Sequence, residues 1–588
     1  MIEKQDSPTG NGEKDKSGKR RLEVVASQKV PDAAVFHKNA NTPFPERETQ
    51  QDNNSTITNN NQMKKLSLIL LALMAFGPIA WAQVPLDNIP AEVNAEDATI
   101  TELGHATMTV KVKIVTDSLT HHTDTLCSVT QIEWNTPSGT ANQRNAQRGN
   151  GSNGSEFYGE DNNSWLDIYW YRFNYPSINA EGRPVLLSAL TCMPDEDCDY
   201  INNVIIGCHV TITSNKECPS AYTDDNYDTD VSMMMNHAGS GLLFHSLQSD
   251  RAYYNLVIMP DYEGYGITRS NAHPYLYQEL TARQVVDGVR YGIALYKSSP
   301  RIDDIRHPFR DGWRSICLGY SQGGSVAMAT QRFIEQNDLT DELQLAGSVC
   351  GDGPYDPMAT LMYYTNQYNE GDPMSMPVVL PLILKGMCDY NPYMKDHQVS
   401  DYLKPWFLNS GILDWLTAKE KTTNDITAAW KNYFGDNWPL KLNQIINEAG
   451  LAYFQSLYSA YSDTYTSEAG IPLPEHRGLM EDLHFALASN NLTKGWTPQH
   501  ALCLYHSRYD TVVPEVNRES AGNSFPDWVL KFHSGYILPF DHVNSGKAFF
   551  LGTAEFKAIR VLSKASVHQT TDEIETMKEH LSDYLDEL

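Results

Sequence analysis

Ser321 stands between two glycines, in the run Gly319-Tyr320-Ser321-Gln322-Gly323, at the end of an apolar stretch and directly before small residues with helical spacing. A serine hydroxyl on a sharp strand-to-helix turn can attack a carbonyl carbon. The backbone makes that turn only if the residues two before and two after carry no side chain. The same turn aims a helix N-terminus at the reacting centre, where its dipole and free N–H groups favour developing negative charge. The N–H of Gln322 is therefore expected as one oxyanion donor.

A nucleophilic hydroxyl needs a general base, and the base needs an orienting acid. On a turn of this kind the chain order is Ser, then Asp or Glu, then His. The stretch "ALCLYHSRYDTVVP" puts Asp510 in a polar turn just beyond an apolar run, and "PFDHVNSGKAFF" puts His542 in a loop ahead of a helix. Ser321, Asp510 and His542 are the expected nucleophile, orienting acid and general base. Rivals stay open: His506 or His533 for the base, Glu515 or Asp541 for the acid. In "GCHVTITSNKECPS", Val210 or Thr211 is expected to offer the second oxyanion N–H. This chemistry calls for no metal and no organic cofactor, and no CxxC or His/Cys cluster suggests zinc. Asp224, Asn226, Asp228 and Asp230 alternate as in a calcium loop, but the sixth-position glycine and twelfth-position glutamate are missing. They read as a solvated acidic loop, and Asp261 and Glu263 read as structural.

The elements around these residues follow from hydrophobic period. "TMTVKVKIVTD" and "CSVTQIEW" alternate as strands, and residues 137–155 read as a loop or linker. "WLDIYWYRFNYP" and "PVLLSALTCMP" read as an antiparallel pair. Beyond them, short apolar runs at 202–210, 253–262, 313–320, 343–351 and 501–506 alternate with helical stretches, which predicts a largely parallel sheet covered on both faces. The long interval before residue 501 is helical in pattern, with Ile426, Trp430 and Tyr433 predicted on one helix face. It reads both as a subdomain with its own core and as a cap supplying an apolar acyl or aryl pocket.

Taken together, "MPDYEGYG", "AHPYL", "GYSQGG", "YHSRYDTVVP" and "DHVNSGKAFF" resemble the α/β-hydrolases, and more narrowly the secretory lipase family and its bacterial relatives, over roughly residues 163–562. The resemblance implies an α/β-hydrolase fold, a mostly parallel central sheet with a helical cap insertion. It also implies hydrolysis of carboxylic esters, the partner being a lipid or small-molecule ester. Many α/β-hydrolases carry His-Gly after the third strand; here His209 is followed by Val210, which leaves the second oxyanion donor open. A serine peptidase of the prolyl-oligopeptidase kind shares fold and triad order but carries a large propeller, for which the upstream segment is too short. A non-catalytic binding module would show a broken triad. The expected division is 1–62 as a disordered upstream extension, 63–82 as signal peptide, 83–155 as a small β-rich segment and linker, 156–357 with 497–588 as hydrolase core, and 358–496 as cap.

Residues 63–82 carry the marks of an export signal: Lys64 and Lys65, an apolar run, and Ala80-Trp81-Ala82 before Gln83. Gly77-Pro78 interrupts the run, which is short for a bilayer, so no stable membrane insertion is expected after cleavage. Translation is expected to start at Met63, and the mature protein to be periplasmic or extracellular. The chain carries a net charge of −28, and the 82 residues before Gln83 hold 11 basic and 9 acidic side chains, leaving −30 on the remainder. Such acidity argues against nucleic acid as a partner. Among nine cysteines, Cys192/Cys198 and Cys208/Cys218 are near enough in sequence to be disulfide candidates, and the odd count leaves one thiol over.

Overall fold

The computed structural model describes residues 85–116, 123–135, 141–144, 163–194, 200–221, 253–366, 368–527, 541–551, 558–559 and 561–586. Among the described residues ten strands make one sheet: β1 (Thr99–Thr116), β2 (Thr123–Asn135), β3 (Ala141–Arg144), β4 (Asn163–Ile178), β5 (Pro184–Pro194), β6 (Tyr200–Cys208), β7 (Tyr253–Pro260), β8 (Phe309–Tyr320), β9 (Leu345–Gly351) and β10 (Ala501–Tyr505). Their order is β10-β9-β8-β6-β7-β5-β4-β1-β2-β3. The five strands from β10 to β7 run parallel, and every pair from β7–β5 outward is antiparallel. This is the α/β-hydrolase fold.

Burial explains the two halves. Strands β9 and β10 are buried along their whole length, as parallel strands covered on both faces must be. Helix α1 (Gln278–Ser298) carries the chain from β7 across to β8, and α2 (Gln322–Gln336) follows β8; the two pack on each other and on the sheet. The antiparallel pair β4–β5 closes through an Asn179 turn, whose side-chain oxygen accepts from the N–H groups of Glu181 and Arg183. Ala141–Arg144, inside the stretch expected to be loop or linker, is strand β3. It pairs with the edge of β2 from Asn135 to Ile132, and backbone pairing at an edge requires no apolar alternation.

From β6 the chain returns on one side as β7, then crosses to β8 on the other side of β6. The connections leaving the carboxyl ends of β6 and β8 therefore diverge. Such a switch point opens a crevice where ligands bind in α/β sheets.

Between β9 and β10 the chain builds a second core. Its helices include α3 (Pro357–Thr365), α4 (Val379–Tyr390), α5 (Thr423–Phe434), α6 (Glu448–Tyr461) and α7 (Leu479–Ser489). Thr422 and Asp425 form a capping box at the start of α5, satisfying two N–H groups. That helix buries Ile426, Trp430 and Phe434, four residues apart, while Tyr433 is 54% exposed. The predicted face was one residue out of phase at its end: a step of four keeps Phe434 on the stripe, and Tyr433 swings toward solvent. Trp430 packs near Phe407 and donates its indole N–H to Ser410 Oγ at 3.0 Å.

The Cys208/Cys218 candidate does not form. Cys192, Cys208 and Cys218 are buried free thiols, and Cys198 lies outside the described residues. Cys208 ends a central strand, whereas Cys218 turns its sulfur to the Asn215 carbonyl. Residues 63–82, the acidic loop at 223–230 and His533 also lie outside the described residues. Among those described, no helix is long and apolar enough to cross a membrane.

Trp430 fills the middle of the second core, so W430A leaves a cavity and an unpaired Ser410. It should lower the stability of the helical segment by about 3–5 kcal/mol, read by chemical denaturation and by faster proteolysis there.

Candidate active site

Ser321 sits where β8 becomes α2, with φ 58° and ψ −125°, a region L-residues rarely occupy. Its N–H donates to Gly351 O at 2.8 Å, which ties the turn to the end of β9. A Cβ on Gly319 would fall on the Gly323 carbonyl, and one on Gly323 would fall on the carbonyl of Cys208 at the end of β6. These contacts are the physical reason for both glycines. Strand, helix and neighbouring strand meet here closer than any side chain allows.

The Ser321 Oγ lies 3.0 Å from His542 Nε2, and His542 Nδ1 lies 2.5 Å from Asp510 Oδ2. His542 opens helix α8 (His542–Leu551), and Asp510 follows β10. The other Asp510 oxygen accepts the N–H groups of Val512 and Val513 at 2.7 and 2.8 Å, so the carboxylate is fixed at both ends. A carboxylate can only accept here; Nδ1 therefore carries the imidazole hydrogen, and bare Nε2 faces the serine hydroxyl. Burial by itself would push His542 down, but the charge and hydrogen bond of Asp510 turn the net shift upward. Burial would raise Asp510, and its contact with His542 brings it below the usual carboxylate range.

His506, Glu515 and Asp541 make other contacts. His506 is buried after β10 with Nε2 3.1 Å from Val513 O and Nδ1 3.4 Å from Asp352 Oδ1. Glu515 pairs with Arg518, and Asp541 accepts from the Asn544 N–H at the start of α8. Asp261 accepts from Ser188 Oγ and the Ser220 N–H, and Glu263 from Gln284 and Asn271. Both carboxyls tie loops together.

Around the serine, Gln322 is the first residue of α2, so its N–H has no intrahelical acceptor. The N–H groups of Val210 and Thr211 likewise have no acceptor among the described residues. His209 does not face the serine; its ring nitrogens lie against Val210 O and Asp261 O, and it stacks on Tyr262 at 3.9 Å. Sequence reasoning left His273 without a role. Its Nδ1 lies 2.8 Å from Glu263 O and must donate there, so its Nε2 accepts from the Gln322 side-chain amide at 2.8 Å. Burial first, and His209 and Lys419 nearby, press His273 down to about 3, which keeps that tautomer neutral. The only trace in the sequence is "AHPYL", which names the residue but not its contact.

Ser321 opens into a cleft enclosing about 870 Å³ of space, counting its open mouth. The walls are almost wholly apolar: Leu361, Met376, Leu380, Ile383 and Leu384 from the helical segment, with Leu487 from α7 and Val513 from the Asp510 loop.

No protein-family model matches the chain, and no curated relative matches it. Among solved structures, the chain is similar to the rice cell wall degrading esterase LipA from Xanthomonas oryzae, with 20% identity, 71% of this chain and 92% of that chain covered, and a TM-score of 0.46. It is also similar to Candida antarctica lipase A in its closed state, with 11% identity, 71% and 86% coverage and a TM-score of 0.41. Likeness of this degree carries no information on substrate.

Asp510 stabilises the protonated imidazole, so His542 should hold its proton to higher pH than an ordinary histidine. In D510N the charge is gone and burial prevails, so the midpoint should fall below the ordinary range. NMR titration of isotope-labelled histidine checks the sign; an unchanged midpoint in D510N would sink this account.

Proposed function

We propose that the protein is an exported serine hydrolase that cleaves carboxylic esters through an acyl-enzyme. One observation carries the reading: Ser321 Oγ contacts His542 Nε2, His542 Nδ1 contacts Asp510 Oδ2, and Ser321 opens into an apolar cleft. As Ser321 Oγ attacks the ester carbonyl, His542 Nε2 takes its proton, and Asp510 steadies the imidazolium. The oxyanion is met by the N–H of Gln322 and by that of Val210 or Thr211. His542 then returns the proton to the leaving alkoxide, and water repeats the sequence on the acyl-enzyme.

The cleft favours an apolar acyl group, because its lining leaves a charged or strongly hydrated substrate unpaired. Segment 358–496 acts as the cap that supplies most of that lining. The serine peptidase reading gains no support from the cleft.

S321A should abolish hydrolysis of p-nitrophenyl esters, from acetate to palmitate, and labelling by a fluorophosphonate, with circular dichroism unchanged. Residual turnover at the wild-type rate on every ester would remove Ser321 from the mechanism. Export through residues 63–82 is checked by N-terminal sequencing of the secreted protein, which should begin at Gln83; a terminus upstream of Met63 would count against it.

A further inference from the structure

Asp352 takes no part in the contacts that join Ser321, His542 and Asp510, yet it touches every segment that carries them. It follows β9 with φ 36°, in the region costly for any residue with a Cβ, and it is fully buried. Its Oδ1 accepts the Ser507 N–H at 2.8 Å, in the loop that leads to Asp510. Its Oδ2 lies 2.7 Å from the hydroxyl of Tyr320, the residue before the nucleophile, and in hydrogen-bond range of Ser545 Oγ on α8. The same Tyr320 hydroxyl lies 2.6 Å from the carbonyl oxygen of His542. Tyr320 is held in place by its ring, which packs against Gly546, Phe549 and the His542 imidazole.

The hydrogens can be counted. Tyr320 has one hydroxyl hydrogen, and the His542 carbonyl can only accept. If that hydrogen goes to His542, the 2.7 Å contact between Tyr320 and Asp352 needs a hydrogen of its own. A carboxylate has none to give; a carboxylic acid has one. With Oδ2–H donating to Tyr320 and Ser545 donating to Oδ2, each of these contacts is satisfied. The charged surroundings point the same way on balance. Burial and the negative charge of Asp510 push Asp352 up, against the opposing pull of His506 and His542. His506 gives its Nε2 hydrogen to Val513 O and turns Nδ1 toward Asp352.

We infer that Asp352 is a positioning residue held as a neutral carboxylic acid. Its O–H donates to Tyr320, and Tyr320 then donates to the His542 carbonyl, fixing the start of α8 so that the imidazole stays against Ser321. The inference rests on the reading of Ser321 and His542 as the reacting pair. An acid kept uncharged beside Asp510 leaves that carboxylate as the one buried anion facing His542 from these loops, so the imidazolium is stabilised without a second anion in low dielectric.

Three variants and one spectrum test it. An asparagine amide donates to Tyr320 as the acid does, so D352N should keep kcat on a p-nitrophenyl ester within about threefold of wild type. D352A should lose about 10²-fold in kcat with KM little changed, since the substrate cleft is untouched. Y320F, which keeps the ring and loses only the hydroxyl, should lose about tenfold. The difference infrared spectrum of wild type minus D352N should show the carbonyl band of a protonated carboxylic acid at neutral pH. A fall in D352N as deep as in D352A, with no such band, would mean a carboxylate paired with protonated His506 and would overturn the proposal. Unchanged kcat in D352A and Y320F would overturn the positioning role. Should the wild type neither cleave esters nor take a fluorophosphonate, the ester-hydrolase reading fails, and the infrared band still decides the protonation of Asp352.

Discussion

The turn at Ser321 is the constraint on which the rest of the structure depends. The serine holds a backbone conformation that an L-residue resists, and it does so because β8, α2 and the end of β6 converge at distances open only to glycine. Strain of this kind persists only where the surroundings over-determine it. Here they do: the Ser321 N–H is taken by Gly351 at the end of β9, and α2 is buried along most of its length. The turn lifts the hydroxyl out at the carboxyl edge of the sheet and presents the unsatisfied N–H of Gln322 beside it. Position and polarity of the site thus come from one local distortion.

Placing Asp510 and His542 in a buried crevice carries an electrostatic cost, and the polar groups around them show how that cost is offset. Asp510 has a hydrogen-bond donor for each oxygen, two from backbone and one from His542. Its anion is therefore solvated by the protein. Asp352, a few ångströms away, serves the same centre as a neutral group, passing a hydrogen bond through Tyr320 to the histidine's own backbone. On the other side, His273 holds the Gln322 side chain through a neutral tautomer. Charge is kept where the proposed chemistry uses it and removed elsewhere.

Two cores share the work. The sheet and its helices set the positions of Ser321, Asp510 and His542, and the helical segment between β9 and β10 supplies most of the apolar walls of the cleft. Because the Tyr364 hydroxyl of α3 lies 2.9 Å from the carbonyl oxygen of Thr511 and 2.8 Å from that of Val512, the segment is also anchored to the loop that carries Asp510. The apolar cleft and the Asp510 loop are joined by the same helix.

Much of this was legible in the chain itself. Parallel strands buried on both faces read as continuous apolar runs, so β6 to β10 could be marked from pattern, as could the glycines about Ser321 and the order of Ser321, Asp510 and His542. The strands and the glycines are local signals that depend on residues a few positions apart, whereas the order of the three side chains is read along the whole chain. Strand β3 escaped notice because an edge strand is fixed by backbone pairing and shows no period, and Tyr433 was misplaced by one step of helical phase. The free state of Cys208 and Cys218, the contact of His273 with Gln322 and the junction at Asp352 were beyond pattern altogether. Each depends on which segments, near or far along the chain, come to lie side by side when the sheet closes. Sequence determined the chemical types and marked the strands; only the packed tertiary structure decided which strands end beside one another and which side chains at those ends touch, because hydrogen bonds form between neighbours in space and leave no periodic mark along the chain.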